Sequence, residues 1–335
     1  MKDFAGKIAF ITGGASGAGF GQAQIFSEAG MKVVIADVRQ DHLDNAMEYF
    51  KGTDAQIHAI KLDVTDRAGY AAAADETERV FGGVPDLLIM TAGVNAFGPC
   101  EASTYDDFDW VMGVNLGGVV NGLVTFVPRM IKAGKGGYIA STVSYGAFGP
   151  APIVAPYAAA KAAVLNLLES YYLGLKPYGI GVSALMPANI KSNIHDAVLK
   201  TRPASLGNTG YNANEETQGQ LFGALQTGME PRVLANWMKQ GIENEQFLIV
   251  PYKYAERMVQ LDLQRLIDYT TLEGVKRLEE RQKQPPTEEQ RLIFRDKEGY
   301  DMPLPDAPRP ARVDVGFGKA REDIDWVTPD RQLNK

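Results

Sequence analysis

The chain has 335 residues, of which 45% are hydrophobic, with a net charge of -7 and a sequence pI near 5.2. This length is enough for one large core, spread over one or two domains. The acidic balance argues against a nucleic-acid partner, which would need a basic face. The single cysteine, Cys100, excludes an intrachain disulfide.

The N-terminus and the apolar runs indicate a protein of the reducing cytoplasm. The N-terminal segment MKDFAGKIAFITGG reaches polar and Gly residues too early for a signal peptide. The longest apolar stretches, such as GGVVNGLVTFVP at 117–128, are shorter than the roughly 18 to 20 residues that span a bilayer. His42, His58 and His195 lie far apart in the sequence. We therefore expect a cytoplasmic protein without a membrane partner or a metal site.

Seven short runs rich in Val and Ile alternate with segments of helical length. In chain order the runs are KIAFIT at 7, KVVIAD at 32, IHAIKLDV at 57, DLLIMTAG at 86, GYIAST at 137, GIGVSALMP at 179 and QFLIVP at 246. The predicted helices lie near 19–30, 40–51, 66–81, 105–133, 155–176 and 230–243. Because strands that are apolar throughout are covered on both faces, the pattern predicts an α/β fold with a doubly wound, seven-stranded parallel sheet.

Two segments interrupt this alternation. Residues 192–230 are polar and contain Gly and Asn, which is typical of a flap over a substrate site. Residues 255–335 contain 17 acidic and 15 basic residues among 81. We therefore do not expect this segment to extend the hydrophobic core. We predict a catalytic and cofactor-binding domain over 1–253 and an extension over 254–335. The extension would hold a helix over about 255–283 and a Pro-rich segment at 301–312.

The end of this extension has two interpretations. It is either a solvated tail or an arm that lies on its own or on a neighbouring subunit. Four aromatic residues favour the arm: Phe294, Tyr300, Phe317 and Trp326.

A glycine-rich turn, TGGASGAGFG at 12–21, joins the first predicted strand to the first helix. Gly13, Gly17 and Gly19 allow a sharp turn and a close approach of backbone to a pyrophosphate, which the helix N-terminus attracts. Their GxxxGxG spacing differs from the GxGxxG of the common dinucleotide fingerprint, although the context agrees. The sequence thus predicts a dinucleotide site at this turn.

The ends of the next two strands carry carboxylates. Asp37 ends the second strand, where a carboxylate accepts hydrogen bonds from a ribose and repels a 2'-phosphate. We therefore predict NAD rather than NADP, and Arg39 nearby is the residue that argues the other way. Asp63, after the third strand, is either an adenine contact or a turn aspartate.

The segment PYAAAK at 156–161 is an alanine-rich helix that carries one phenol and one ammonium group. Their four-residue spacing places Tyr157 and Lys161 on one helix face. For tyrosine to act as a base at neutral pH, its pKa must fall by about three units, or roughly 4 kcal/mol. A cation about 4 Å away, at an effective dielectric of about 20, supplies about that much. We predict a Tyr157 base whose pKa Lys161 lowers; the alternative is a packed tyrosine beside a surface lysine.

As a set, these motifs resemble the short-chain dehydrogenase/reductase family over residues 5 to about 253. The resemblance rests on TGGASGAG, TAG at 91–93, Asn115, YAAAK, and Ser144 thirteen residues before Tyr157. It implies a Rossmann-like fold, with Tyr157 as the catalytic acid/base and Ser144 as the hydroxyl that holds the substrate oxygen. Lys161 would bind the nicotinamide ribose, and Asn115 would anchor a water relay. Ser141 is a rival to Ser144, and Asn115 is alternatively a helix-packing amide.

The resemblance also implies the remaining cofactor contacts. Two positions depart from the family pattern: Thr91 stands where Asn is usual, and Ala188 follows Pro187 where Gly is usual, which puts the path of this loop in doubt. The complete predicted set of cofactor residues is Gly13, Ser16, Gly17, Gly19, Asp37, Asp63, Val64, Thr91, Gly93, Tyr157, Lys161, Pro187, Asn189, Ile190 and Ser192.

Longer strings resemble the bacterial Cα-dehydrogenases that oxidise the benzylic alcohol of β-aryl-ether lignin dimers. These strings are GGASGAGFGQA, TAGVNAFGP, TYDDFDWVMGVNL, VTFVPRMI and PANIKSNI. The resemblance implies NAD-dependent oxidation of a secondary, benzylic alcohol to a ketone. It also implies a homodimer or homotetramer formed through the helices at 105–133 and 155–176.

Aromatic side chains are available for an apolar wall around such a substrate, namely Phe97, Tyr145, Phe148 and Tyr211. Other functions stay open. One alternative is a dehydrogenase for another hydrophobic alcohol or ketone, such as a steroid. Another is a protein that binds NAD without turning it over. Sugar epimerase or dehydratase chemistry shares YxxxK but usually goes with a different glycine spacing.

Overall fold

The protein is built on a parallel sheet with helices on both faces. The structure, a computed structural model, describes residues 1–207, 209, 211, 223, 225–252 and 255–284. The strands are β1 Ile8–Thr12, β2 Lys32–Asp37, β3 Ile57–Lys61, β4 Leu87–Met90, β5 Gly137–Thr142, β6 Ile180–Leu185 and β7 Leu248–Ile249. Their order is β3-β2-β1-β4-β5-β6-β7, and all neighbouring pairs are parallel. The predicted seven-stranded sheet is confirmed.

The strand order reverses between β1 and β4, and ligands of such sheets bind beyond the carboxyl ends of the strands at this point. The described helices are α1 Gly17–Glu28, α2 Gln40–Phe50, α3 Arg67–Phe81, α4 Tyr105–Met112, α5 Gly118–Ala133, α6 Ala155–Gly174, α7 Ala197–Lys200, α8 Pro231–Glu243, α9 Ala255–Asp268 and α10 Leu272–Gln282.

One predicted helix contains an irregular turn, and another is divided in two. The helix predicted over 105–133 contains a π-helical turn, Gly113–Gly117, between α4 and α5. The helix predicted over 255–283 is interrupted before Thr271, which has an extended backbone and caps α10 by accepting a hydrogen bond from the Gly274 N–H. At the start of α4, Thr104 and Asp107 form a capping box that fixes where this helix begins.

The main core lies against the sheet. Every residue of β1 is buried, and Phe10 from this strand packs on Phe126 of α5 with ring centroids 4.7 Å apart. A smaller apolar cluster combines the loop after β4 with α4 and α7; its buried members are Val94, Ala96, Trp110, Val111, Ala197, Val198 and Tyr211. This second cluster lies at the sheet edge where ligands are expected.

By length and composition alone, the helical stretch Tyr105–Ala133 could cross a membrane, but 56% of its apolar window is buried inside the molecule. That burial is typical of a core helix in a folded domain. The predicted flap at 192–230 contains α7 and two short 3₁₀ turns, Ile194–Asp196 and Ala204–Leu206, in its described part. The Pro-rich segment at 301–312 and the four aromatic residues of the predicted arm lie outside the described residues.

Candidate active site

The turn between β1 and α1 cannot accept side chains at its glycines. Gly13 has a φ of +63°, and a Cβ there would lie 2.8 Å from the Cα of Ala92. A Cβ on Gly19 would lie 2.0 Å from the carbonyl oxygen of Gly13. Ser16 occupies the N-cap position of α1. A tight backbone turn at a helix N-terminus is what a pyrophosphate needs, so these residues fit a dinucleotide.

A cavity of about 520 Å³ extends along the carboxyl ends of the strands. All predicted catalytic and cofactor residues line it except Gly19, Asn115 and Asn189. Gly19 packs beneath the turn against Gly13. The Asn189 side chain has its Nδ2 3.5 Å from the Thr227 Oγ1, and its carbonyl oxygen accepts a 3.0 Å hydrogen bond from Met229. Ser192 lies next to the glycine turn, because a Cβ on Gly17 would be 3.2 Å from its Cβ.

Asp37 is a buried carboxylate at the end of β2. Its Oδ1 accepts a hydrogen bond of 3.0 Å from the Arg39 N–H, and its Oδ2 accepts one of 3.4 Å from the Ala15 N–H. Burial raises the pKa of Asp37, which these hydrogen bonds partly offset. The carboxylate is therefore oriented by backbone donors from both β1–α1 and β2–α2 turns.

The Arg39 guanidinium is paired with two other carboxylates. Its Nη2 lies 2.5 Å from the Asp41 Oδ2, and its Nη1 lies 3.2 Å from the Asp196 Oδ2. The contact with Arg39 lowers the pKa of Asp41 to about 2. Since Asp196 belongs to the flap, the ion pair also joins α2 to the flap.

Asp63 has the contacts of a turn aspartate and also lines the cavity. Its Oδ1 accepts hydrogen bonds from the Thr65 N–H at 2.9 Å and from the Thr65 hydroxyl at 2.8 Å, as in a turn aspartate. It also lines the cavity, as does the neighbouring Val64. The adenine contact stays a prediction.

Ser144, Tyr157 and Lys161 come together at the cavity. Ser144 and Tyr157 both line the cavity, and Ser144 is close enough to the Tyr157 phenol to lower its pKa. The Lys161 Nζ is buried, donates a 2.9 Å hydrogen bond to the carbonyl oxygen of Thr142, and lies 5.5 Å from the centre of the Tyr157 ring. Ser141, the rival serine, points its hydroxyl to the carbonyl oxygen of Met90 at 2.8 Å, inside the sheet. The geometry thus favours Ser144 over Ser141, and the catalytic role of Ser144 stays a prediction.

The pKa values of this pair differ from the prediction. Burial raises the pKa of Tyr157, and the contact with Ser144 lowers it by less. Burial also lowers the pKa of Lys161 from 10.5 to about 8. The predicted lowering of the Tyr157 pKa is therefore not found, because the prediction counted the charge of the ammonium but not the loss of water around both groups.

Asn115 lies in the π-helical turn and is fully buried. Its Oδ1 accepts a 2.8 Å hydrogen bond from the Val94 N–H, and its Nδ2 donates one of 2.9 Å to the Val94 carbonyl. It therefore holds the loop after β4, which agrees with the packing alternative. A Cβ on Gly93 would lie 3.3 Å from the Asn115 Oδ1 and 3.6 Å from the Lys161 Nζ, so Gly93 keeps this corner of the site open. The water relay stays a prediction.

The two departures from the family pattern have partners that the sequence did not reveal. The Thr91 hydroxyl donates to the Gln22 Oε1 at 2.7 Å, and the Gln22 Nε2 donates to the Thr142 hydroxyl at 3.0 Å. An amide is thus present here, supplied by α1. The sequence signal for this contact was Gln22 itself, a polar residue within a helix of small and apolar residues.

The loop after β6 is held from beyond β7. The Ala188 N–H donates a 2.7 Å hydrogen bond to the buried hydroxyl of Tyr252. Ala188 does not adopt a positive φ, so its conformation does not require glycine. The doubt about the path of this loop is thereby removed.

Part of the cavity wall is apolar, and most of it belongs to the small cluster against which Tyr157 packs. It is formed by Val94, Phe97, Trp110, Ala197 and Leu206. Of the aromatic residues predicted for this wall, Phe97 lines the cavity, whereas Tyr145 and Phe148 contact α9 instead. Tyr211 packs its ring on Gly98 and hydrogen-bonds the Ser103 hydroxyl at 2.5 Å. Trp110 was not predicted, since one aromatic residue inside an amphipathic helix gives no signal of its own.

A buried arginine fixes the described part of the flap on α4. The Arg202 Nη1 lies 2.7 Å from the Asp107 Oδ1, and the side chains are 5% and 0% exposed. The same guanidinium lies 5.4 Å from the Trp110 ring centre and donates to the carbonyl oxygens of Leu206 and Gly207 at 3.0 and 3.1 Å. The flap wall is therefore held by one side chain that satisfies several acceptors.

Comparison with known proteins agrees with this geometry. The family model described as short chain dehydrogenase matches residues 7–203. The chain belongs to the short-chain dehydrogenase family. It is an oxidoreductase with the Rossmann-like fold of that family, as predicted from its motifs.

Three relatives illustrate the match. The chain is 52% identical over 268 residues to the C alpha-dehydrogenase of Sphingobium sp. (strain NBRC 103272 / SYK-6), covering 80% of this chain and 88% of that protein. The apo form of LigD from Sphingobium sp. strain SYK-6 is 45% identical with a TM-score of 0.67, covering 79% and 98% of the two chains. A short-chain dehydrogenase/reductase from Burkholderia phymatum in complex with NAD is 30% identical with a TM-score of 0.72, covering 81% and 96%.

Proposed function

We propose that this short-chain dehydrogenase oxidises a secondary, benzylic alcohol to a ketone with NAD as the acceptor. The observation that carries the proposal is that Ser144, Tyr157 and Lys161 line one cavity together with the glycine turn and Asp37, with the Lys161 Nζ 5.5 Å from the Tyr157 ring centre. A hydroxyl, a phenol and a cation placed together can hold an alcohol oxygen and accept its proton.

The reaction divides between the cofactor and the chain. Bound NAD would accept the hydride from the carbinol carbon. Ser144 holds the substrate oxygen by a hydrogen bond, and the Tyr157 phenolate takes the hydroxyl proton as the carbonyl forms. One alcohol and one NAD⁺ thus give one ketone, one NADH and one proton. Since the phenolate is the reactive form, the rate of oxidation should rise with pH as Tyr157 ionises.

The charges near Asp37 support NAD rather than NADP. Asp37 is a carboxylate where a 2'-phosphate would lie. The nearby cation, Arg39, is already paired with Asp41 and Asp196. A 2'-phosphate at this place would thus meet three carboxylates and a single guanidinium that is already paired. The resulting charge repulsion disfavours NADP. The NAD complex of the Burkholderia phymatum relative supports the same choice.

The apolar wall supports an aromatic substrate. Trp110, Phe97 and Leu206 present aromatic and aliphatic surface to the cavity that Ser144 also lines. The 52% identity to a C alpha-dehydrogenase supports a β-aryl-ether lignin-type dimer as the candidate. Another hydrophobic alcohol or ketone is the alternative. The complete Ser144, Tyr157 and Lys161 set weighs against a protein that binds NAD without turnover.

We also propose that the protein is a cytoplasmic homodimer or homotetramer. Exposed apolar side chains lie on α4, α5 and α6, where the resemblance places the subunit contact; they are Tyr105, Phe108, Val120, Val124 and Leu173. The catalytic domain is proposed to end near 253, with residues 192–230 as its substrate flap and 254–335 as an extension.

The test is a panel of racemic benzylic and aliphatic secondary alcohols, with the appearance of NADH followed by absorbance, first with NAD and then with NADP. Ser144→Ala should lower kcat at least about 100-fold, in the range typical of acid/base and positioning groups. Ser141→Ala is the matched control and should keep most of the activity. Absence of cofactor reduction with every alcohol, or equal rates for Ser144→Ala and the wild type, contradicts the proposal.

A further inference from the structure

The turn that follows Ser144 is attached to α9, a helix that lies beyond the residues matched by the family model. The 3₁₀ turn Tyr145–Ala147 begins directly after Ser144, whose hydroxyl accepts a 3.0 Å hydrogen bond from the Gly146 N–H. The position of the Ser144 hydroxyl therefore depends on the path of this turn.

Helix α9 holds the turn at both ends. At its start, the Tyr145 hydroxyl donates to the Asp262 carboxylate. At its end, the Arg265 Nη2 donates a 2.5 Å hydrogen bond to the carbonyl oxygen of Phe148. Asp262 and Arg265 are themselves at ion-pair distance, with Arg265 Nε 3.5 Å from Asp262 Oδ1, and both side chains are 19% exposed. One partly buried ion pair of α9 thus contacts both ends of the turn.

Tyr145 also joins this contact to the cofactor side of the cavity. Its N–H donates a 2.8 Å hydrogen bond to the carbonyl oxygen of Pro187. Burial raises the pKa of Tyr145, and so does the adjacent Asp262 carboxylate, so the phenol keeps its proton and remains a donor. The residue does not line the cavity, and its contacts are with structural neighbours of Ser144.

We propose that Tyr145, held by Asp262 of α9 while Arg265 holds Phe148 at the other end of the turn, is a positioning residue that fixes the hydroxyl of Ser144 for the reaction. The inference rests on the proposed dehydrogenase function for its kinetic readout. The Asp262 oxygen that accepts from the Tyr145 phenol is essential; a neutral amide oxygen at the same place accepts the same hydrogen bond and weakens only the contact with Arg265.

The first measurement is steady-state kinetics of three variants and one control. Tyr145→Phe and Asp262→Ala should each lower kcat for alcohol oxidation about tenfold, while the Kd for NADH, read by fluorescence, stays within twofold of the wild type. Asp262→Asn keeps an acceptor for the phenol and should stay within threefold in kcat. Tyr178→Phe removes the hydroxyl of an exposed tyrosine and should leave kcat unchanged.

Combining Tyr145→Phe with Asp262→Ala should cost less than the sum of the two changes, since both remove the Tyr145–Asp262 hydrogen bond while each also removes a second contact, with Met258 and with Arg265 respectively. Three results overturn the inference: a Tyr145→Phe variant within twofold of the wild-type kcat, an Asp262→Asn variant as slow as Asp262→Ala, or a parallel loss of NADH binding and turnover, which would indicate general disruption.

The second measurement does not need turnover. Hydrogen exchange of the wild-type protein and of Tyr145→Phe, compared under conditions where both are folded, should show at least tenfold faster exchange confined to the amides of residues 145–149. Unchanged exchange there overturns the inference. If the wild type oxidises no alcohol, the proposed function fails while this measurement still decides the role of the contact.

Discussion

Replacing Arg202 by methionine should destabilise the protein because it leaves the Asp107 carboxylate buried without its cation. The pair is among the most buried of the described ion pairs, with side chains 5% and 0% exposed. Removing one partner of such a pair typically costs about 3 to 5 kcal/mol. The Asp107 Oδ2 keeps hydrogen bonds from the Thr104 N–H and hydroxyl at 3.0 and 2.9 Å. We therefore expect the lower end of that range, about 3 kcal/mol.

The assay is urea unfolding of Arg202→Met, of Asp107→Asn with Arg202→Met, and of Arg232→Met as the control. Arg232 forms an ion pair with Glu28 whose side chains are 45% and 53% exposed, so its loss should cost at most about 1 kcal/mol. The double variant has no buried charge and keeps the amide as a capping group. It should therefore be more stable than Arg202→Met by about 1 to 2 kcal/mol.

Kinetics separate stability from the shape of the substrate wall. Both Arg202 variants lose the donors to the flap and the contact with the Trp110 ring, so both should show a higher KM for the alcohol, although only one has the buried charge. A double variant no more stable than Arg202→Met refutes the reasoning. So does an Arg202→Met cost equal to that of Arg232→Met.

Three further changes test other parts of the site. Because burial lowers the pKa of Lys161 from 10.5 to about 8, the unfolded chain binds more protons above pH 8. The free energy of unfolding should therefore rise from pH 8 to about 9.5, and Lys161→Met should lack this rise in urea titrations at each pH. Asp37→Ala should lower the ratio of kcat/KM for NAD to that for NADP at least about tenfold, since a repelling carboxylate is lost; an unchanged ratio contradicts the role of Asp37. Val124→Asp, at an exposed position of α5, should give a smaller species by light scattering, and an unchanged mass contradicts the proposed subunit contact.

The sheet could be predicted from the sequence because its signal is local. Each strand is a short run of apolar residues that is buried on both faces, and KIAFIT or KVVIAD shows this without any partner. The π-helical turn at Gly113–Gly117 could not be predicted in this way, because its residues continue a helical pattern and only the extra hydrogen-bond spacing distinguishes it.

The sequence predicted those parts of the candidate site whose residues belong to short motifs. Tyr157 and Lys161 are on one helix, and Ser144 follows the neighbouring strand, so their meeting follows from the fold. The pKa of Tyr157 could not be predicted from spacing, since burial raises it by more than Ser144 lowers it, and the extent of burial depends on residues from several elements. The same holds for Arg202 and Asp107, which are far apart in the sequence and form their pair only once the flap lies on α4.

The two positions that depart from the family pattern show how the surroundings replace a missing group. At Thr91 the amide comes from Gln22, on the helix that begins at the glycine turn. At Ala188 the backbone needs no positive φ, and the Ala188 N–H donates a hydrogen bond to the hydroxyl of Tyr252. Tyr252 lies well past residue 203, where the family match ends. The motif residues of the site therefore lie within residues 7–203, whereas a residue that fixes one of its loops lies outside that range. Variation after β7 should therefore change catalysis even where every motif residue is kept.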